Sequence, residues 1–194
     1  MRSQFSIGIY IYEDAEVLDF AGPFEVFSTA KRLADSDWQI NLIANEKGLV
    51  EARGHFPVYS HYSISTHPKL DLLMVVGGDH TKEFQNPETT QWLREQDQIT
   101  ERTVTVCTGV FFLASAGLIN GRHVTTHWED QQELQSRFPL IKVVSDCRYV
   151  TDGKYTTSGG ISAGIDMSLE IVAELFGKEL AIKTAVQMEY RWEE

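Results

Sequence analysis

Short, β-branched apolar runs alternate with helix-patterned segments along this chain, and that alternation constrains its fold more than any other feature. Phe5 to Ile11 (FSIGIYI), Trp38 to Ala44, Leu70 to Val76 (LDLLMVV) and Thr103 to Val106 each read as a buried strand. They are too short for helices and are bounded by polar or turn residues. Gly22-Pro23 opens a helix, because proline suits a first helical position, and Phe24, Phe27, Ala30 and Leu33-Ala34 repeat along it. Further helices are predicted over Pro87 to Glu101, along VFFLASAGL after Gly109, over Trp128 to Phe138, from Ile161 to Phe176 and over residues 178 to 190. Residues 48 to 66 read as a β excursion with turns at Gly48 and Gly54, and HVTTH at 123 to 127 as a strand. Asp152-Gly153 sits between two short strands as a hairpin turn. Strands alternating with helices imply an α/β fold, a mostly parallel sheet covered on both faces. The length suits a single domain over residues 1–194.

Composition narrows the setting. The start shows no signal-peptide design, and no apolar run approaches the ~20 residues of a membrane span. A cytoplasmic protein with no membrane partner is expected. The formal net charge of −11 is spread along the chain, which argues against a nucleic-acid partner, since phosphate backbones demand a basic face. Cys107 and Cys147 form no metal-spaced pair, a disulfide between them is not expected, and Cys147 reads as a structural strand residue. His55, His61 and His67 recur every six residues, a spacing that suits no ligand set. Neither a metal nor another cofactor is called for.

Ligands of parallel sheets bind beyond the carboxyl ends of the strands. The segments after Ile11, Val76 and Val106 carry Asp19, Gly77-Gly78 and Cys107. Cys107 ends a strand just before a helix, where orphan amides and the helix dipole can lower a thiol pKa to below neutral. A free cysteine is also among the most buried residue types. Gly77-Gly78 lets backbone N–H groups approach an anion developing on a substrate, or is a plain turn. Asp19 is either an acid/base beside the sulfur or a residue that ties down a turn. His127 either orients or deprotonates the thiol or is one of six histidines with no special role. The glycine-rich Gly159-Gly160-Ile161-Ser162-Ala163-Gly164 lacks the context of a dinucleotide loop, and close packing of this segment against the elbow is the better reading.

Five motifs in order extend these observations. Asp19-Phe20-Ala21-Gly22-Pro23-Phe24-Glu25-Val26-Phe27, Val75-Val76-Gly77-Gly78, Val106-Cys107-Thr108-Gly109, Val124-Thr125-Thr126-His127-Trp128 and Thr157-Ser158-Gly159-Gly160-Ile161-Ser162-Ala163-Gly164-Ile165-Asp166 together resemble the ThiJ/PfpI superfamily. Within it the chain is most similar to isonitrile hydratases and to the sensor domains of AraC-type regulators. The resemblance implies a flavodoxin-like three-layer sandwich and a nucleophile elbow at Cys107. It implies that Asp19 hydrogen-bonds the sulfur, that Gly78 and the Thr108 amide supply oxyanion-type contacts, and that His127 lies nearby. Gly77 and Gly160 join Gly78 and Thr108 as substrate-facing positions. In the protease-like branch a histidine follows the nucleophile; here Thr108 does, which favours the isonitrile hydratase-like pattern. The implied function is a carbon–nitrogen hydratase that converts a small isonitrile to an N-formamide through a covalent Cys107 intermediate, and the chain is expected to form a homodimer. The alternatives are a glyoxalase-like thiol enzyme and a ligand-sensing domain without turnover.

Overall fold

In the computed structural model, which describes residues 4–192, the chain runs β1 (Ser6–Tyr10), α1 (Val17–Leu33), β2 (Gln39–Ala44), β3 (Leu49–Ala52), β4 (Phe56–Tyr59) and β5 (Tyr62–Ser63). It continues through β6 (Leu72–Val75), α2 (Pro87–Ile99), β7 (Arg102–Thr105), α3 (Val110–Ser115), β8 (His123–Val124), α4 (Gln131–Arg137) and β9 (Lys142–Val143). β10 (Tyr149–Asp152), β11 (Tyr155–Ser158), α5 (Ala163–Phe176) and α6 (Lys178–Gln187) follow.

The main sheet has seven strands in the order β10-β11-β7-β6-β1-β2-β5. Neighbours pair in parallel except β10 and β11, the hairpin that turns after Asp152. All four residues of β6, Leu72-Leu73-Met74-Val75, are buried, as expected of a strand covered on both faces, which has no polar side to offer. α1, α5 and α6 pack on one another over one face, and α2 and α3 pack together on the other. The result is the three-layer, flavodoxin-like α/β sandwich.

From β1 the chain moves outward to β2 and then returns to place β6 on the other side of β1. That reversal opens a crevice at the carboxyl ends of β1 and β6, where such sheets hold ligands. The three segments that enter it carry Asp19, Gly77-Gly78 and Cys107.

Several expectations need correction. α1 begins at Val17, so Pro23 lies inside it. A proline there costs one amide that would have bonded the Asp19 carbonyl, and the buried face of the helix outweighs that loss. Asp19 is therefore a first-turn helical residue and not part of a loop. β8 covers only His123–Val124, because Thr125 and Thr126 turn away to bond Thr157 and Cys107. α3 stops at Ser115, and Trp128–Asp130 is a 3-10 turn ahead of a shorter α4. Cys147 is half-buried in the connection between β9 and β10 and is not in a strand. Among the described residues no helix is long and apolar enough to cross a membrane.

Candidate active site

Cys107 opens a 3-10 turn (Cys107–Gly109) that joins β7 to α3. Its φ of 56° lies in the left-handed region, where a non-glycine residue stores about 1–3 kcal/mol of strain. The surroundings hold it there. Its amide donates to the Gly159 carbonyl at 3.2 Å, and its own carbonyl accepts from Thr126 Oγ1 at 2.8 Å. The glycine-rich segment thus packs on the elbow, as its sequence suggested. The elbow lifts the side chain to the end of the sheet, yet Cys107 is only 7% exposed.

Asp19 rises from the first turn of α1 and is fully buried. Its Oδ2 accepts the Gly77 amide at 2.9 Å, while Oδ1 makes no hydrogen bond of ordinary geometry. Burial pushes its carboxyl up to about 7, and the Gly77 amide, the Ile161 amide and the Cys107 thiol offset only part of that rise. Burial, and next the Asp19 charge, push the Cys107 thiol well above its ordinary value, against the pull of the Thr108 and Ile161 amides. This corrects the expectation of a thiolate at neutral pH. The elbow does bring amides to the sulfur, but the sulfur is dehydrated and shares its space with a carboxyl. Two acids so close titrate as a coupled pair. Tyr12 adjoins this pair: its hydroxyl is buried without a hydrogen-bond partner, and burial, then Asp19 and Cys107, raise its pKa.

Gly77 and Gly78 stand where they were expected, but their amides are already engaged. Gly77 serves Asp19, and Gly78 donates to Thr108 Oγ1 at 3.1 Å, whose hydroxyl donates back to the Gly78 carbonyl at 3.1 Å. Close approach explains the first glycine, since a Cβ on Gly77 would lie 2.6 Å from the Thr108 nitrogen and 2.7 Å from Cys107 Cβ. The amides that face the sulfur are those of Thr108 and Ile161. Ile161 escaped the sequence reading as a site residue. Its φ of 54° is an outlier for a β-branched side chain, and nothing in the local sequence announces it.

His127 reaches the same cavity as Cys107, Thr108 and Gly78. Its Nδ1 lies 3.5 Å from Asp130 Oδ2 and 3.7 Å from Glu129 Oε2. Gly160 packs behind the ring, so closely that a Cβ there would be 2.0 Å from His127 Cδ2. The cavity measures about 260 Å³ and is also bordered by Glu16, Arg53, Asp79 and His80. Sequence reasoning missed these four and Asp130, although the three-residue step from His127 to Asp130 was a legible signal. A larger cavity, about 370 Å³, lies over Asn45 and Glu83 with Asp79 bordering both, and no cysteine lines it. His55, His61 and His67 go to separate partners: Glu51, the Leu42 amide and Trp92.

Fold and site define a class of α/β protein in which a buried cysteine sits at a strand-to-helix elbow over a buried carboxyl. The sequence matches the DJ-1/PfpI family over residues 6–174, and the chain belongs to that family. It is 31% identical over 185 residues to an isonitrile hydratase from Pseudomonas putida, covering 95% of this chain and 78% of the relative. It is also 31% identical over 171 residues to the HTH-type transcriptional regulator CdhR from Pseudomonas aeruginosa, covering 88% of this chain and 51% of the regulator. The chain thus spans about half the length of that regulator. A ThiJ/PfpI family protein from Pseudomonas syringae superimposes with a TM-score of 0.88 at 25% identity, over 98% of this chain and 77% of the other. Drosophila melanogaster DJ-1beta gives a TM-score of 0.86 at 20% identity over 97% of this chain and 100% of the other, a likeness of fold.

Proposed function

We propose that this chain is a cysteine-dependent hydratase that adds water to a small electrophilic carbon, in the manner of isonitrile to N-formamide. The observation that carries the reading is the juxtaposition at the elbow. A strained Cys107 lies against a buried Asp19 whose Oδ1 has no ordinary partner and whose carboxyl titrates near 7. In the first step the sulfur attacks the terminal carbon of the isonitrile, the thiol proton passes to Asp19, and Asp19 returns it to that carbon. The product is a thioimidate, with sulfur and hydrogen both on the former isonitrile carbon. Water then adds to this carbon while Asp19 takes one of its protons and passes it to the imine nitrogen; the carbon–sulfur bond breaks, the remaining hydroxyl proton goes to the leaving sulfur, and the thiol and the N-formamide are released. Splitting one hard addition into two easier ones is the usual benefit of covalent catalysis. A carboxyl poised near pH 7 is suited to move a proton both ways. The Thr108 and Ile161 amides stabilise negative charge on the sulfur as it forms. The isonitrile hydratase relative supports the same reading.

The test is formamide production from a panel of small isonitriles, with 2-oxoaldehydes alongside. Formamide from the native chain and none from Cys107→Ala upholds the reading; consumption of the oxoaldehydes alone makes the protein glyoxalase-like. The regulator relative favours a second reading, a ligand-sensing domain without turnover. On that reading a small molecule raises the unfolding midpoint and is recovered unchanged. The proposal includes a single-domain, cytoplasmic homodimer, and light scattering that gives the 22.0 kDa chain mass removes the dimer.

A further inference from the structure

The cavity over Cys107 has a charge as well as a size. Arg53, on its rim, is bound to Glu16 at 2.8 Å, so that pair brings no net charge. Three further carboxylates border the space: Asp79, Glu129 and Asp130. Hydrogen bonds from Thr81 hold Asp79 below the ordinary carboxylate range, so it stays ionised. Against these three stands His127, already engaged by Glu129 and Asp130. The remaining wall histidine, His80, is 6% exposed and packed on Phe111 at 4.3 Å. Burial lowers its pKa, so it is neutral at pH 7. Beneath the cavity lie Cys107 and Asp19, two buried acids that offer an incoming carboxylate no positive charge, with no hydrogen bond of ordinary geometry on Asp19 Oδ1. Among the described residues, the one guanidinium on this wall is engaged by a carboxylate. The volume, about 260 Å³, falls below the ~300–1,000 Å³ of sites for drug-sized ligands.

We infer that the Cys107 cavity admits small neutral or cationic electrophiles and excludes those that carry a carboxylate. The inference deepens the hydratase reading and rests on it for the role of Cys107 as the atom that substrate must reach. Clefts lined by one sign of charge raise the local concentration of the opposite sign and lower that of the same sign. A carboxylate-bearing substrate would meet three acids on the way in and an acid pair at the bottom, and no free guanidinium or ammonium to receive it.

The test separates charge from chemistry by using two pairs of nearly isosteric reagents. Iodoacetamide and iodoacetate alkylate a thiolate in the same way: a carbon–sulfur bond forms, the carbon–iodine bond breaks and iodide leaves. Their rates at Cys107, resolved by mass spectrometry and divided by their rates with glutathione, isolate the effect of the cavity. Iodoacetate is expected to be disfavoured by at least about ten-fold relative to that reference. Asp79→Asn with Glu129→Gln should recover at least about three-fold of it. A normalised ratio within about two-fold of glutathione overturns the inference. The second pair is methyl isocyanoacetate and the isocyanoacetate anion, where kcat/KM should favour the ester by about ten-fold or more. Equal turnover of the two again overturns it. If neither isonitrile is turned over, the hydratase reading falls alone and the alkylation ratio still decides the charge question. If Cys107 also fails to react with either alkylating reagent, it is not the atom that small electrophiles reach, and both fall together.

Discussion

Asp19 and Asp166 are both carboxyls taken out of water, at 0% and 6% exposure, and the fold treats them in opposite ways. Asp166 Oδ2 accepts from Nε of Arg148 at 2.8 Å and from its Nη2, and Oδ1 accepts from the Tyr190 hydroxyl at 3.0 Å. This is a charge-assisted arrangement that gives both oxygens of the carboxylate a donor. Asp19 has the Gly77 amide on one oxygen and no ordinary hydrogen bond on the other. A buried carboxylate completed by donors fastens structure, here the base of α5 to the strand hairpin and to Tyr190. One left incomplete is costly to ionise and so holds a proton near neutrality. What separates these two buried acids is the charge of their donors: Asp166 has a guanidinium beside it, whereas Asp19 faces neutral donors.

The largest effect that can break this comparison belongs to Cys107. Cys107→Ala should lower formamide production by at least about 10³-fold, as losses of nucleophiles do. It should move folding stability by less than about 1 kcal/mol, because alanine keeps the backbone bonds to Gly159 and Thr126. Turnover assays and chemical denaturation of the same preparation check both halves. An alanine variant with substantial turnover would leave Asp19 with nothing to serve.

Asp19→Asn comes next, with an expected loss of about 10²–10⁴-fold in kcat, since an amide cannot carry the proton. It also has a signature in pH. The folded carboxyl titrates near 7, above its unfolded value near 3.8, so the folded state binds more protons between those limits. Stability from this group is full below about pH 4 and is lost as pH rises through about 7. The asparagine variant should therefore show a flatter stability profile across that window, measured by urea unfolding. An unchanged slope would mean that Asp19 is ionised in the fold, and the contrast with Asp166 would dissolve.

Legibility followed the same division. The strands, the helices over Pro87 and after Gly160, and the cysteine at the end of β7 were readable because apolar periodicity and turn chemistry are local. The packing of Gly77-Gly78 and of the glycine-rich segment after Ser158 against the elbow was also readable, from motifs. Four features were not. Pro23 misled the start of α1, because tertiary burial of the Val17–Phe20 turn overrode a local helix-start signal. The protonation of the Cys107 pair was misjudged, because elbow amides can be read from sequence whereas dehydration depends on the whole fold. The wall formed by Glu16, Arg53, Asp79, His80 and Asp130 draws on four separate segments, and no spacing rule joins them. Ile161 was missed for a fourth reason: its left-handed backbone is imposed by its surroundings, against the preference of its side chain.

On the satisfied side of the comparison, Asp166→Ala should cost about 1–3 kcal/mol of stability. That is less than the loss for a fully buried pair, because Arg148 is half-exposed and regains water. Its kcat should stay within about ten-fold of the native value. Unfolding midpoints and initial rates give the two numbers. A kcat loss as large as that of Asp19→Asn, with stability unchanged, would reverse the assignment of the two acids.

The smallest effect concerns His127, which falls between the two cases. Its Nδ1 lies 3.5 Å and 3.7 Å from two carboxylates, longer than good hydrogen bonds, and its side chain is 20% exposed. Gly160→Ala probes its placement without touching its chemistry. The added Cβ would meet Cδ2 of the ring at 2.0 Å, so the imidazole must move. Overpacking of this kind costs about 1–3 kcal/mol. If His127 orients substrate without exchanging protons in the rate-limiting step, kcat should fall by less than about ten-fold while KM rises. The double variant Gly160→Ala with His127→Ala removes the clash and should recover most of the stability lost, a coupling that a thermodynamic cycle reads directly. If His127→Ala alone lowers kcat by about 10²-fold or more, His127 joins Asp19 among the groups that move a proton. Cys107 would then work between two acid–base partners, one buried beneath it and one across the cavity.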